Sequence, residues 1–320
     1  MPLLPSSYRP GVVFRNGHLA TIYSALVRKV EGPEQFRERI TLSDGDFLDL
    51  DWSPAATATD RVLILLHGLE GNAQRPYMRG SARLFSARGY DVCAVNFRGC
   101  SGVPNRLFRS YHSGATEDLD AVLQHVLGLH RYKKVYLKGF SLGGNLILKF
   151  LGENPSYSNR IAGAAAISVP CDLHDSLQQL NQSKNWLYAR RFLTTLREKV
   201  REKQKHFPEH ISLEEVDKIK SLKAFDDYYT SRAHGFRDAL DYYNQCSSLR
   251  FLEGIRVPTL LLNAQNDSFL GARCYPVEAC RNHPAVYFEN PDYGGHVGFV
   301  GEGSFYYSER RSLEFLDECE

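Results

Sequence analysis

No stretch of this sequence approaches the roughly 18 consecutive apolar residues that a membrane-crossing helix requires. The opening segment, MPLLPSSYRPGVVFRNGH, has neither the charged start nor the continuous apolar run of a secretory signal. Cysteine occurs seven times, an odd number, and never with C-x-x-C spacing. That pattern argues against a disulfide framework and for a reducing, cytoplasmic setting; Cys93 and Cys171 lie in or beside apolar runs, as small buried hydrophobes do. The histidines are dispersed, with no H-E-x-x-H and no Cys/His pairs, so no metal centre is expected. A charge of one sign is lacking too. Lys+Arg 39 against Asp+Glu 37 leaves a net charge of +2, which gives no ground for nucleic acid or an acidic membrane surface as partner. Neither an internal repeat nor a low-complexity segment is found.

What is present reads as a soluble α/β domain. At 320 residues, 43% hydrophobic and 24% charged, the chain can bury a full core, and α/β sheets of this size form one unit. Short apolar runs recur at Val62–Leu66, Val92–Val95, Val135–Leu137, Ile161–Val169, Thr259–Ala264 and Val286–Phe288. Each is apolar throughout, as strands buried on both faces of a parallel sheet are. Helical patterns fall between them near 77–88, 115–129, 143–153 and 304–318, an order that predicts a doubly wound sheet. Ahead of these, Arg37–Leu42 and Phe47–Trp52 flank the turn sequence Ser43-Asp44-Gly45-Asp46, predicting an antiparallel hairpin at the sheet edge. Residues 171–246 break the rhythm. Leu177–Leu180, Trp186–Leu196, Arg197–Lys205 and Leu213–Lys223 read as helices with no strand between them. An insertion of this kind is either a cap over the carboxyl edge of the sheet, where ligands bind, or a decoration with no part in the site; the cap is favoured.

Gly139-Phe140-Ser141-Leu142-Gly143 fits G-x-S-x-G. It follows the strand Lys134–Lys138 and opens a helix over Gly144–Gly152, the strand–turn–helix setting of a nucleophile elbow. A serine at such a turn holds a strained backbone, and glycines two residues either side keep side chains from colliding there. The competing reading is a glycine-rich turn that merely packs helix on strand. A serine hydroxyl needs a base. With the order Ser, acid, His, the candidates are Asp267, after the strand Thr259–Ala264, and His296, in Gly294-Gly295-His296-Val297-Gly298. His296 would serve as general base and then general acid, with Asp267 orienting it. His67, His112 and His283 compete; His67 ends a strand but precedes the serine. It opens His67-Gly68-Leu69-Glu70-Gly71, where half of an oxyanion hole is expected, so the Leu69 and Leu142 backbone N–H groups are the candidate donors and His67 a buttress. Glu70 reads equally as a solvated charge or a substrate contact.

With those motifs placed, the chain resembles the YheT-like branch of the α/β-hydrolases, bacterial esterases with plant and animal relatives. The resemblance runs almost end to end. It includes Asn16-Gly17-His18-Leu19, Asp44-Gly45-Asp46-Phe47-Leu48-Asp49, His67-Gly68-Leu69-Glu70-Gly71, Asn96-Phe97-Arg98-Gly99-Cys100-Ser101-Gly102 and Tyr111-His112-Ser113-Gly114. Further on come Gly139-Phe140-Ser141-Leu142-Gly143-Gly144-Asn145, Phe225-Asp226-Asp227, Asp241-Tyr242-Tyr243 and Gly294-Gly295-His296-Val297-Gly298-Phe299. The resemblance implies an α/β-hydrolase fold, a triad of Ser141, Asp267 and His296, and hydrolysis of carboxylic esters without a cofactor. One departure stands out: the family commonly shows two adjacent acids and a proline where this chain has Asn266-Asp267-Ser268. The membrane anchor and lipid substrates of animal relatives are not carried over.

The expected architecture is therefore a mostly parallel sheet with an antiparallel N-terminal edge, a core over 1–170 and 247–320, and a helical cap over 171–246. The expected partner is a small-molecule ester; an acyltransferase, thioesterase or amidase on the same triad, or a non-catalytic binding protein, remain the alternatives. Asn96–Gly102 reads as scaffold ahead of substrate contact, and the stripe Trp186, Tyr188 and Phe192 as helix packing ahead of an acyl pocket. Phe225-Asp226-Asp227 and Asp241-Tyr242-Tyr243 are expected to anchor the cap to the core.

Overall fold

Strand side chains alternate between two cores. Val62, Ile64 and Leu66 bury into one and Leu63 and Leu65 into the other, and Leu261 opposes Leu260 and Leu262 in the same way. A strand with apolar side chains on both faces must be covered on both, which is why these runs lack polar alternation. A computed structural model describes residues 3–301 and 303–319. Its strands are β1 (Leu3–Leu4), β2 (Phe36–Thr41), β3 (Phe47–Ser53), β4 (Arg61–Leu66), β5 (Asp91–Asn96), β6 (Lys134–Phe140), β7 (Ile161–Ile167), β8 (Thr259–Leu262) and β9 (Val286–Glu289). They form one sheet in the order β1-β9-β8-β7-β6-β4-β5-β3-β2.

The pairing is parallel except for β2 with β3 and β3 with β5. The expected hairpin is the antiparallel edge, with Phe36 opposite Trp52 and Thr41 opposite Phe47. β1, at the other edge, was not anticipated; two residues carry no periodicity to read. Helices lie where expected, at Pro76–Ser86, Thr116–Gly128, Leu142–Glu153 and Tyr307–Asp317.

The order of strands places the site. After β4 the chain runs to β5 on one side, then crosses back to β6 on the other side of β4. Loops leaving β4 and β6 therefore diverge at a switch point, where a crevice opens at the carboxyl edge. The register puts Leu66 beside Gly139, so Leu69 and Ser141 emerge next to each other.

Residues between β7 and β8 are helical, at Leu173–Leu180, Trp186–Gln204, Leu213–Lys218, Leu222–Phe225 and Ala239–Cys246 among others. Trp186–Leu196 and Arg197–Lys205 thus fall on one continuous helix, Trp186–Gln204, with Lys205 capping its end. Leu213–Lys223, expected as one, breaks at Ile219, whose backbone is extended, and restarts with the Ser221 side chain accepting the Ala224 N–H. No helix among the described residues is long and apolar enough to cross a membrane.

Candidate active site

Ser141 sits at the end of β6 with φ +51°, a conformation unfavourable for a residue with a side chain. The surroundings hold it there: its N–H donates to the Ile167 carbonyl at 2.8 Å and its carbonyl accepts the Asn145 N–H at 3.0 Å. Glycine is required on both sides. A Cβ on Gly139 would lie 2.4 Å from the Gly143 carbonyl oxygen, and one on Gly143 would lie 2.6 Å from that of His67. Leu142 is the first residue of the helix Leu142–Glu153, so its N–H has no intrahelical acceptor.

The structure brings Ser141, His296 and Asp267 together. His296 Nε2 lies 3.0 Å from Ser141 Oγ, and His296 Nδ1 lies 2.8 Å from Asp267 Oδ2. With Nδ1 protonated and donating to the carboxylate, Nε2 is left as acceptor for the serine hydroxyl. The Asp267 side chain is wholly buried, and its Oδ1 accepts the Phe269 N–H at 2.9 Å. Phe269 stacks on the imidazole with ring centroids 4.2 Å apart.

The loop bearing Leu69 lies directly over the serine: a Cβ on Gly68 would stand 3.1 Å from Ser141 Cβ. His67 is fully buried beneath it. Its Nε2 accepts the Phe97 N–H at 3.2 Å, so Nδ1 is the nitrogen that donates to the Gly68 carbonyl at 2.7 Å. Burial holds its pKa down to about 3, and with both ring nitrogens engaged by backbone groups it buttresses the loop. Glu70 is not solvated. Its Oε1 accepts from Tyr111 at 2.7 Å and pairs with Lys199 at 2.9 Å, tying the helix Trp186–Gln204 to the loop beside Ser141.

A cavity of about 520 Å³ opens over Ser141 and His296. The helices after β7 give it an apolar wall that includes Leu173, Leu177, Phe192, Leu196 and Phe225. Tyr188 and Phe192 line it and pack edge-on against Phe269, whereas Trp186 points to solvent, so the stripe has no single role. Arg98 borders the cavity, but its guanidinium is spent on Asp118, Asp44 and Asp46, as a scaffold residue's would be. Tyr242 does anchor the helical segment to the core, donating to Ser113 Oγ at 2.8 Å. Asp226 does not: it accepts from Tyr243 and Thr230 within that segment, and burial raises its carboxyl to about 6.

Several residues that hold the site were not foreseen. Thr21 Oγ1 accepts the His296 N–H at 2.8 Å, and Ser168 Oγ accepts that of Val297 at 2.9 Å. Asn266, in the place of the family's first acid, bridges two segments. Its Oδ1 accepts the Gly295 N–H at 2.9 Å and its Nδ2 donates to the Arg15 carbonyl at 2.9 Å. Ser268, where the family has proline, donates to Asn185 Oδ1 at 2.8 Å, and Asn185 Nδ2 donates back to the Ser268 carbonyl at 2.6 Å. The acid loop is thus braced by side chains in place of a proline ring. Only Asn16-Gly17-His18-Leu19 hinted at the N-terminal brace. Asn266→Ala removes both bridges and is expected to lower kcat roughly tenfold with KM little changed, because the His296 loop loses registry. Asn266→Asp, which keeps the Gly295 bond, should recover most of the loss; steady-state kinetics of the two variants would decide it, and an unchanged kcat in Asn266→Ala would refute the bracing role.

Sheet topology, elbow and cavity define a hydrolase of the α/β class. The chain belongs to the α/β-hydrolase fold family, whose model matches residues 61–302. Its relatives lie in the YheT-like branch: it is 34% identical to "Putative esterase YheT" of Escherichia coli strain K12 over 90% of this chain and 85% of that protein. It is also 32% identical to "Phospholipase ABHD3" of Mus musculus, over 93% of this chain and 74% of that one. Among solved structures, the Pyrococcus furiosus esterase Pf2001 superposes with a TM-score of 0.58 at 19% identity, covering 89% of this chain and 91% of its own, a likeness of fold.

Proposed function

We propose that this protein is a serine hydrolase that cleaves carboxylic esters through an acyl-enzyme. The observation that carries the reading is the hydrogen-bonded chain Asp267–His296–Ser141 on the cavity floor. Ser141 Oγ attacks the ester carbonyl carbon while His296 Nε2 takes its proton. Asp267 stabilises the imidazolium through Nδ1. The developing oxyanion is held by the N–H groups of Leu69 and Leu142, each worth about 3 kcal/mol in the transition state. His296 then protonates the leaving alkoxide. A water, deprotonated by His296, attacks the acyl carbon and restores Ser141. No cofactor enters this sequence.

In this reading residues 1–170 and 247–320 form the core that carries the chemistry, and 171–246 form the cap whose apolar wall takes the acyl chain. Relatives named as an esterase and a phospholipase support an ester as the bond cleaved. All seven cysteines are free thiols, six of them buried, which suits a reducing cytoplasm. A panel of p-nitrophenyl esters from acetate upward tests the substrate class: saturable release of p-nitrophenol is expected. Fluorophosphonate labelling of Ser141 with no turnover of any ester would move the reaction to another acyl bond, and absence of labelling would end the hydrolase reading.

A further inference from the structure

Exposed apolar side chains are unevenly spread over this protein. Val12, Val13, Leu19, Leu26 and Val27, all within residues 12–27, are 48–77% exposed. A second ridge lies at the start of the helix Trp186–Gln204, where Trp186 is 54% and Leu187 68% exposed. The two ridges are neighbours. His18 Nδ1 lies 3.2 Å from the Tyr188 hydroxyl, and the two rings stack. The cavity over Ser141 opens between them, for Ile22 and Leu26 from one ridge and Tyr188 and Arg191 from the other all line it.

Along these two segments of chain, charge is of one sign. The first acid in the sequence is Glu31, and none occurs from Ser176 to Arg197. Arg15, Lys29, Lys184, Arg190 and Arg191 are exposed, and the Arg190 guanidinium lies over the Trp186 ring. The near-neutral net charge averages this asymmetry away. Apolar side chains with an indole among them, rimmed by cations, match the boundary between headgroups and acyl chains of an anionic membrane. A second copy of the same face fits poorly, because a two-fold contact would set these cations against their own copies.

We propose that residues 12–27 and the first turns of the helix Trp186–Gln204 dock on an anionic phospholipid bilayer, seating the cavity mouth on lipid. That the docked mouth admits substrate rests on the ester-hydrolase reading; the docking itself does not. Co-sedimentation of the full chain with vesicles of phosphatidylcholine containing about one third phosphatidylglycerol tests it. Salt-sensitive binding is expected, much weaker on phosphatidylcholine alone. The double variant Val13→Glu, Leu187→Glu should partition at least about tenfold more weakly while hydrolysing dissolved p-nitrophenyl acetate at the wild-type rate. Wild-type protein left in the supernatant, equal partitioning of the variant, or a dimer in solution that the variant disrupts would each overturn it. Vesicle binding that persists in a protein with no ester turnover would sink the ester-hydrolase reading and leave the docking surface standing.

Discussion

Ser141→Ala and His296→Ala are each expected to lower kcat toward p-nitrophenyl butyrate by about 10⁴-fold to 10⁶-fold, with the fold intact. The two groups act as one unit, because the hydroxyl is a competent nucleophile only while Nε2, 3.0 Å away, can take its proton. Removing either removes the function of both. The double variant should therefore be no slower than the worse single variant, and an additive loss would contradict the shared step. Asp267→Asn is a subtler lesion. The amide can donate to Nδ1, which turns the imidazole to the tautomer with its proton on Nε2, facing the serine. A loss of about 10⁴-fold is expected from that reversal. Stability should barely change in the Ser141 variant, since alanine leaves the strained φ and the backbone bonds to Ile167 and Asn145 in place.

Lys138→Met should stabilise the protein at neutral pH by on the order of 3 kcal/mol. Lys138 faces the same core as Tyr136 and Phe140 and is fully buried. Its Nζ donates to the Ser308 carbonyl at 3.3 Å and lies near the rings of Phe85 and Phe140. Glu309, whose charge favours the ammonium, is itself held by Arg28 at 2.6 Å and 2.9 Å. Burial dominates and pushes the Lys138 ammonium down to about 7. Between that value and the ordinary lysine range near 10.5, the unfolded chain carries a proton that the folded chain lacks. Stability therefore rises with pH across this window, and below about 7 the cost of burying the charge is fully present. Methionine removes the titration while filling similar volume. Urea unfolding from pH 7 to 10 should show the gap between variant and wild type closing as pH rises; parallel profiles would contradict it.

Much of the fold was legible because buried strands and glycine turns leave local marks. Runs such as Val62–Leu66 are apolar on both faces for a reason that one strand already contains. The hairpin was legible from its turn residues. Residues 12–27 were not, because their short helices present exposed apolar side chains without a buried stripe. The breaks after β7 were hidden for another reason: a cap such as Ser221 decides where a helix restarts, and the apolar spacing runs on across it. At the candidate site, Ser141, Asp267 and His296 could be chosen because each follows a strand, and two of them are flanked by glycine. Thr21 could not. It meets His296 across 275 positions, and a lone threonine carries no mark of that partner. Asn266 and Ser268 looked like losses against the family pattern, whereas each makes bonds that brace the acid loop.

Intact-mass and peptide mapping of protein quenched within milliseconds of mixing with p-nitrophenyl butyrate would test the nucleophile directly. A butyryl group on the peptide carrying Ser141, absent in Ser141→Ala and long-lived in a His296→Ala variant acylated by a more reactive butyryl ester, is the expected result. Butyryl transfer to any other side chain, or turnover by Ser141→Ala at the wild-type rate, would contradict the assignment of Ser141.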